Sequence, residues 1–239
     1  MYGRVQKLIA NNGVCSRRKA EQLIRDFKVS VNGKPVRIGD SADSEKDVIM
    51  VDGVRLRHPQ RVYVILNKPV GVETTLKSES HKPTVVDMVR MRERLIPAGR
   101  LDVDSRGLVF LTNDGEMANR VMHPRYVIDK VYYVKVRGII PYDKLEELRK
   151  GVKLSDGLTA PSDVKVLTRR FQTTELSMKI HEGRKRQIRR MVEAVGFKVL
   201  DLARTRIGPL TLRGISEGKF RELRKKELKE LRVALGMIS

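Results

Sequence analysis

Apolar residues at Val5, Leu8 and Ile9 recur at the spacing of one helix face, and Asn11, Asn12 and Gly13 then stop the pattern. Ser16 stands where a second helix needs its N-cap, and Ala20, Leu23, Ile24 and Phe27 repeat behind it at i, i+3, i+4 and i+7. On the other side of that helix Arg18 and Arg25 form a basic stripe, with Arg17 close by. The period then changes to two. Val29, Val31, the Asn32-Gly33 pair, Pro35 and Val36 read as strand, tight turn and strand, and Val48 to Val51 with Asp52-Gly53 close a first unit.

From Arg61 onward the strands lengthen: Val62 to Leu66, Gly107 to Thr112, Lys130 to Val136 and Thr174 to Ile180. Helical periodicity appears at Thr84 to Arg92, Gly115 to Met122, Tyr142 to Arg149 and Arg186 to Val195. The alternation is too irregular for a doubly wound parallel sheet, so the pattern predicts an α+β fold with a mixed, mainly antiparallel sheet. Arg55 to Gln60, interrupted by Pro59, reads as the linker, which divides the chain into residues 1–58 and 59–239. The tail from Gly218 to Arg232 reads as a charged helix with Leu223, Leu228 and Leu231 as its apolar spine.

Charge sharpens this outline. The 239 residues carry 50 Lys and Arg against 29 Asp and Glu, a formal net charge of +21. Such an excess points to a polyanion, nucleic acid first, because Lys and Arg displace counterions from phosphates. A merely soluble basic surface is the plainer reading. An anionic membrane fits less well, since no long amphipathic helix carries the charge on one face. Residues 1–58 hold 12 of the bases and 7 of the acids, so most of the excess lies in the second unit. No apolar run approaches the roughly 20 residues of a membrane span, and no signal-peptide h-region follows Arg4 and Lys7, so a cytoplasmic location is expected. A single cysteine, Cys15, excludes an intrachain disulfide and a multi-cysteine zinc site. Four scattered His argue against a His-rich metal site.

Three stretches can carry chemistry. In Gly99-Arg100-Leu101-Asp102, just before an apolar strand, an Asp in a polar loop is held while facing a cleft, with Arg100 near enough to keep it ionised. Asp102 is thus a candidate nucleophile or base, although a turn-forming Asp would look the same. In Gly183 to Met191, Arg184, Lys185, Arg186, Arg189 and Arg190 follow a strand and open a helix, which makes an anion site or a solvated basic helix start. In Lys130 to Arg137, alternation puts Tyr132, Val134 and Val136 on one inward face, so Tyr132 either stacks on a base or packs the core.

Taken in order, these residues resemble the RsuA/RluB family of ribosomal RNA pseudouridine synthases over nearly the whole chain. Arg4-Val5-Gln6-Lys7, Gly13 to Glu21 and Val31-Asn32-Gly33 are similar to an S4 RNA-binding domain. Leu66-Asn67-Lys68-Pro69-Val70-Gly71, Gly99 to Gly115, Glu182 to Met191 and Arg206 to Leu210 are similar to the catalytic domain's motifs. The resemblance implies that Asp102 is the essential aspartate with Arg100 beside it, that Tyr132 stacks on the target base, and that Ile188 packs against it. It implies that Arg189, or its neighbour Arg190, pairs with Asp102. RNA contacts are expected from Lys68, Arg184, Arg186 and Arg190, and from Ser16, Arg17, Arg18 and Arg25 in the S4-like unit. No cofactor and no metal are implied. The expected partner is ribosomal RNA or a pre-ribosomal particle, and the expected state is a monomer. Segment Gly13 to Glu21 looks more like the large-subunit members, which favours 23S rRNA.

In the implied reaction the uracil N1 to C1′ bond breaks, the base turns and C5 joins C1′, after the nucleotide has been flipped from its stack. Asp102 either attacks C1′ or removes the 2′ proton. The rival reading is a non-catalytic RNA-binding or ribosome-assembly protein on the same scaffold, for which an acid among cations has no use. A DNA-binding hydrolase would need paired carboxylates or a metal, and Asp102 and Asp104 lack a third ligand.

Overall fold

The structure, a computed structural model, describes residues 2–57 and 60–238. Of the expected linker, His58 and Pro59 therefore lie outside the described residues. The chain forms two compact units, the first comprising the residues up to Val62 with Met91–Leu95 and Asn113–Gly115, the second the remainder.

The first unit begins with β1 (Tyr2–Arg4), α1 (Val5–Asn11) and α2 (Arg17–Arg25). Ser16 caps α2, its side-chain oxygen accepting a hydrogen bond from the Lys19 backbone N–H at 3.2 Å. Strands β2 (Val29–Val31), β3 (Lys34–Pro35), β4 (Ser41–Asp43), β5 (Ile49–Val51) and β6 (Val54–Arg55) follow. A four-stranded antiparallel sheet runs β3-β2-β5-β6, and β1 pairs with β4. Both predicted two-residue turns have positive φ at each centre, Asn32-Gly33 and Asp52-Gly53, which matches the twist of the strands they join. Val5, Leu8, Ile9, Ala20, Ile24 and Ile49 form the core. Phe27 does not join it: α2 ends at Arg25, Phe27 turns with φ 56°, and its ring is 79 % exposed. Arg17, Arg18 and Arg25 lie exposed on α2, as expected from the stripe.

The second unit contains β7 (Tyr63–Lys68), α3 (Val85–Val89), β8 (Ile96–Pro97), β9 (Arg106–Thr112), α4 (Gly115–Met122, whose first residue lies in the first unit) and β10 (Lys130–Arg137). It continues through α5 (Tyr142–Lys150), β11 (Lys153–Leu154), β12 (Gly157–Leu158), β13 (Asp163–Arg170), β14 (Thr173–Ile180) and α6 (Gln187–Ala194). It ends with β15 (Lys198–Ile207), β16 (Leu210–Thr211), β17 (Phe220–Glu222) and α7 (Lys225–Ala234). The main sheet runs β13-β14-β10-β15-β9-β7-β17, and every neighbour along it is antiparallel except β15 with β9. Tyr63, Ile65, Leu108, Phe110, Met117, Val121 and Leu231 pack its core. No helix among the described residues is long and apolar enough to cross a membrane.

The α+β expectation and the four expected strands match this sheet, but β13 and β15 are absent from the sequence pattern. In β15 the charges Lys198, Asp201, Arg204 and Arg206 break the apolar alternation, although the strand is central. The tail also differs. Its first part is β17, which supplies backbone partners to the open edge of β7, and the helix begins only at Lys225. Likewise α3 is shorter than its periodicity, capped by a Thr84–Asp87 box and stopped where Arg90 turns to φ 41°.

At the β9–β15 crossing, Gly107 has φ +110°, and a Cβ there would lie 2.3 Å from the Arg204 carbonyl oxygen. Gly107→Ala is therefore expected to cost about 3 kcal/mol or more, combining left-handed strain with backbone displacement. Chemical denaturation measures it, and a loss below about 1 kcal/mol would refute the close approach as a constraint.

Candidate active site

The loop before β9 carries Asp102, and the turn after β7 holds that loop in place. The Thr74 hydroxyl donates to the Leu101 carbonyl at 2.8 Å and accepts from the Leu101 N–H at 3.2 Å. The Gly71 N–H donates to the Val103 carbonyl at 2.8 Å, and the Ser105 N–H closes the turn on the Asp102 carbonyl at 3.0 Å. Asp102 is thus anchored through its backbone on both sides while its side chain stays 35 % exposed.

Lys68 organises this turn from inside and is not a surface RNA contact. It is fully buried, and its ammonium donates to the Pro69 carbonyl at 2.9 Å and the Val72 carbonyl at 2.8 Å. Burial pulls its pKa down to about 8, against the opposing pull of Asp104 and Asp102. Its protons are spent on these turn carbonyls, so the ammonium does not stand free for phosphate.

Around Asp102 lies a cleft of about 390 Å³, within the usual range for small-ligand sites. Arg100, Tyr132, Ile188, Arg184 and Arg186 line it, so most of the expected catalytic-unit residues converge on one cavity. Tyr132 and Ile188 are buried side chains on its wall. No ion pair joins Arg100 to Asp102 among the described residues; instead the Arg100 carbonyl accepts from Arg204 Nη1 at 3.4 Å.

The cation facing Asp102 is Arg186, with Nη1 3.7 Å from Oδ2. The same guanidinium grips Asp104 with two hydrogen bonds of 3.2 and 3.0 Å. Arg189 does not pair with Asp102. Its Nη2 donates to the Asp104 carbonyl at 2.8 Å and to Ser105 Oγ at 3.3 Å, which braces the far side of the turn. Nor does Arg190, which pairs with Asp156 at 2.9 Å. The reason is geometric. Arg186 is the N-cap of α6 with φ 51°, and this left-handed residue directs its side chain at the acidic loop, while Arg190 lies one helical turn further on.

The expected anion site at the start of α6 is therefore divided. Arg184 is committed to Glu182 at 3.2 Å, to Asp156 at 3.4 Å and to the carbonyls of Asp156, Gly157 and Leu158. Arg184 and Arg190 thus bind the β11–β12 hairpin in this structure rather than standing free for phosphate. Arg186 and Arg189 serve the Asp102 loop.

Three contributors escaped the sequence reading: Thr74, Lys130 and Arg204. Lys130 lines the cleft and shares the parity of Tyr132 on β10, a signal that was available. Arg204 lines it too, 2 % exposed, and donates from Nε to the Leu108 carbonyl at 2.8 Å. Nothing local in the sequence marks a charged residue as buried.

Burial alone would raise the Asp104 carboxyl, but the Arg186 hydrogen bond and the Arg189 charge outweigh it and hold the pKa below the usual aspartate value. A depressed carboxyl stabilises the fold above its unfolded pKa, and that part is lost as pH falls through the folded one. For this half-exposed pair the effect is about 1 kcal/mol at most. Arg186→Gln is expected to bring the Asp104 titration, followed by NMR, upward toward the ordinary range, and to cost stability at neutral pH but not at pH low enough to protonate Asp104 in both proteins. An unmoved Asp104 titration would refute the pairing.

Residues 62–194 match the RNA pseudouridylate synthase family and residues 3–49 the S4 domain. The chain is 45 % identical over 232 residues to "Ribosomal large subunit pseudouridine synthase B" of Bacillus subtilis, covering 96 % of this chain and 95 % of that one. It is 40 % identical over 240 residues to an RNA pseudouridine synthase of Aquifex aeolicus, covering 99 % and 96 %. A crystal structure of a pseudouridylate synthase superimposes with a TM-score of 0.70 at 31 % identity, covering 95 % of this chain and 99 % of that one. The match of residues 62–194 to that family, together with 45 % identity to a relative covered over 95 % of its length, places this chain in the RNA pseudouridylate synthase family, with an S4 domain at its N-terminus.

Proposed function

We propose that this enzyme isomerises a uridine of ribosomal RNA, in the 23S molecule, to pseudouridine, acting as a cytoplasmic monomer on the RNA or on a pre-ribosomal particle. The observation that carries the chemistry is the half-exposed Asp102 at the mouth of a cleft whose walls are Tyr132 and Ile188. Support for ribosomal RNA comes from the Bacillus subtilis relative, named for the ribosomal large subunit. In this reading residues 1–58 grip RNA through Arg17, Arg18 and Arg25, whose side chains are exposed. Residues 59–239 carry the reaction.

The flipped uridine enters the cleft, where Tyr132 stacks on one face of the base and Ile188 packs against it. Unstacking costs a few kcal/mol, which stacking and phosphate contacts offset. Asp102 then acts at the ribose, at C1′ or on the 2′ proton, and N1 leaves C1′. After the base turns, C5 bonds to C1′ as the Asp102–C1′ bond breaks or, on the other route, as the proton returns from Asp102 to C2′; the C5 proton then departs and N1 takes up a proton, so the product is an isomer of the substrate. Arg186 keeps a positive charge 3.7 Å from the Asp102 carboxylate, and Arg189 acts as a positioning residue through the Asp104–Ser105 backbone.

Asp102→Asn preserves shape and removes the charge. Pseudouridine formation on ribosomal RNA is expected to fall by at least about 10³-fold, with RNA affinity changed no more than a few-fold. Mapping pseudouridines with the wild-type and variant proteins tests both activity and position. Full modification by the variant would remove Asp102 from the reaction.

A further inference from the structure

The floor of the cleft holds two cations that no step above uses. Lys130 and Tyr132 lie on the same face of β10, and Arg204 on β15 is the register partner of Tyr132. Lys130 is 9 % exposed and Arg204 2 %. Neither has an ion pair among the described residues, and Asp129 beside Lys130 pairs instead with Lys179 at 3.9 Å. Among the described residues the Lys130 ammonium has one acceptor, the Ile128 carbonyl at 3.4 Å. Arg204 bonds the Leu108 and Arg100 carbonyls, and its Nη2 is buried without a partner among the described residues.

Placing two under-bonded cations side by side opposes folding, because each loses hydration and each repels the other. Burial, and then the Arg204 charge, pull the Lys130 pKa down to about 8. Core packing does not call for this arrangement, since a methionine would fill the Lys130 volume without the desolvation. What it suits is an anion or a carbonyl oxygen in the cleft, where a preorganised donor gains strength from low dielectric. The departing uracil is such a group. When N1 leaves C1′, the bonding electron pair passes into the ring and spreads over N1, O2 and O4, and it returns when C5 bonds to C1′.

We propose that Lys130 is a catalytic residue of this cleft, donating a hydrogen bond to a carbonyl oxygen of the flipped uracil and holding its negative charge while the base is detached, with Arg204 behind it. The inference rests on the pseudouridine synthase reading above. It also bears on substrate choice, because cytosine presents an amino donor where uracil presents O4.

The test is the single-turnover rate of pseudouridine formation on an RNA fragment that the wild-type protein modifies. Lys130→Met is expected to slow it about 10²-fold, with RNA affinity within about threefold. A merely structural lysine would lower the melting temperature when replaced; here the melting temperature is expected to hold or rise, because a buried charge has gone. Fragments with 2-thiouridine or 4-thiouridine at the target give the second readout. Sulfur accepts hydrogen bonds weakly but makes the base a better leaving group, so wild-type slowing by one of them reports the contact, and Lys130→Met should be insensitive to that same probe. A wild-type rate in Lys130→Met, or equal slowing of both proteins by the thio base, overturns the proposal. Should the variant not fold, wild-type rates unslowed by either thio base overturn it as well. Absence of pseudouridine with the wild-type protein would instead remove the reading beneath it.

Discussion

The second unit depends on the contact of Gly107 with the Arg204 backbone. Here β9 and β15 run parallel in an otherwise antiparallel sheet, and they approach so closely that a single methyl group would meet a carbonyl oxygen at 2.3 Å. Three parts of the cleft follow from that crossing. The Asp102 loop enters β9 immediately before it. Arg204 stands on the opposing strand and bonds the Arg100 and Leu108 carbonyls, one on each side of the loop. Tyr132 faces Arg204 from the next strand over. A glycine is needed at 107 both for the positive φ and for the missing side chain.

Around that crossing the charges fall into layers with different work. Lys68, Lys130 and Arg204 are interior cations beneath the loop, and Asp102 and Asp104 are acids at its surface. Arg186 and Arg189 approach from the start of α6. Interior cations gain little from water screening, so each exerts a longer-range effect on the loop than an exposed one. The excess of +21 is thus more than a coating for a polyanion. Part of it is structural, as in Lys68 and in the Arg184 and Arg190 clamp on the β11–β12 hairpin.

Short-range patterns carried much of this to the surface of the sequence. The Ser16 cap, the Asn32-Gly33 and Asp52-Gly53 turns, the apolar faces of α1 and α2, and strands β7, β9, β10 and β14 are all readable, because each is set by neighbours within a few positions. Tyr132 and Ile188 reach the cleft with Asp102 in agreement with the motif order. Strand β15 was not readable, since its alternation is interrupted by charges whose burial depends on β9 and β10. Phe27 misled for the opposite reason: its spacing fits a helix that has already ended.

The sequence by itself determined the first unit's helices and turns, four strands of the main sheet, the two-unit order and the family, because periodicity, turn chemistry and ordered motifs are local properties of the chain. Tertiary structure alone decided which cation meets which acid. Five basic residues between Arg184 and Arg190 are equivalent as a string, yet a left-handed backbone at Arg186 sends that one toward Asp102 and leaves Arg189 bracing the turn and Arg190 paired with Asp156. Coulomb and hydrogen-bond energies depend on separations of a few ångströms between residues more than 80 positions apart, and such separations exist only once the sheet has closed.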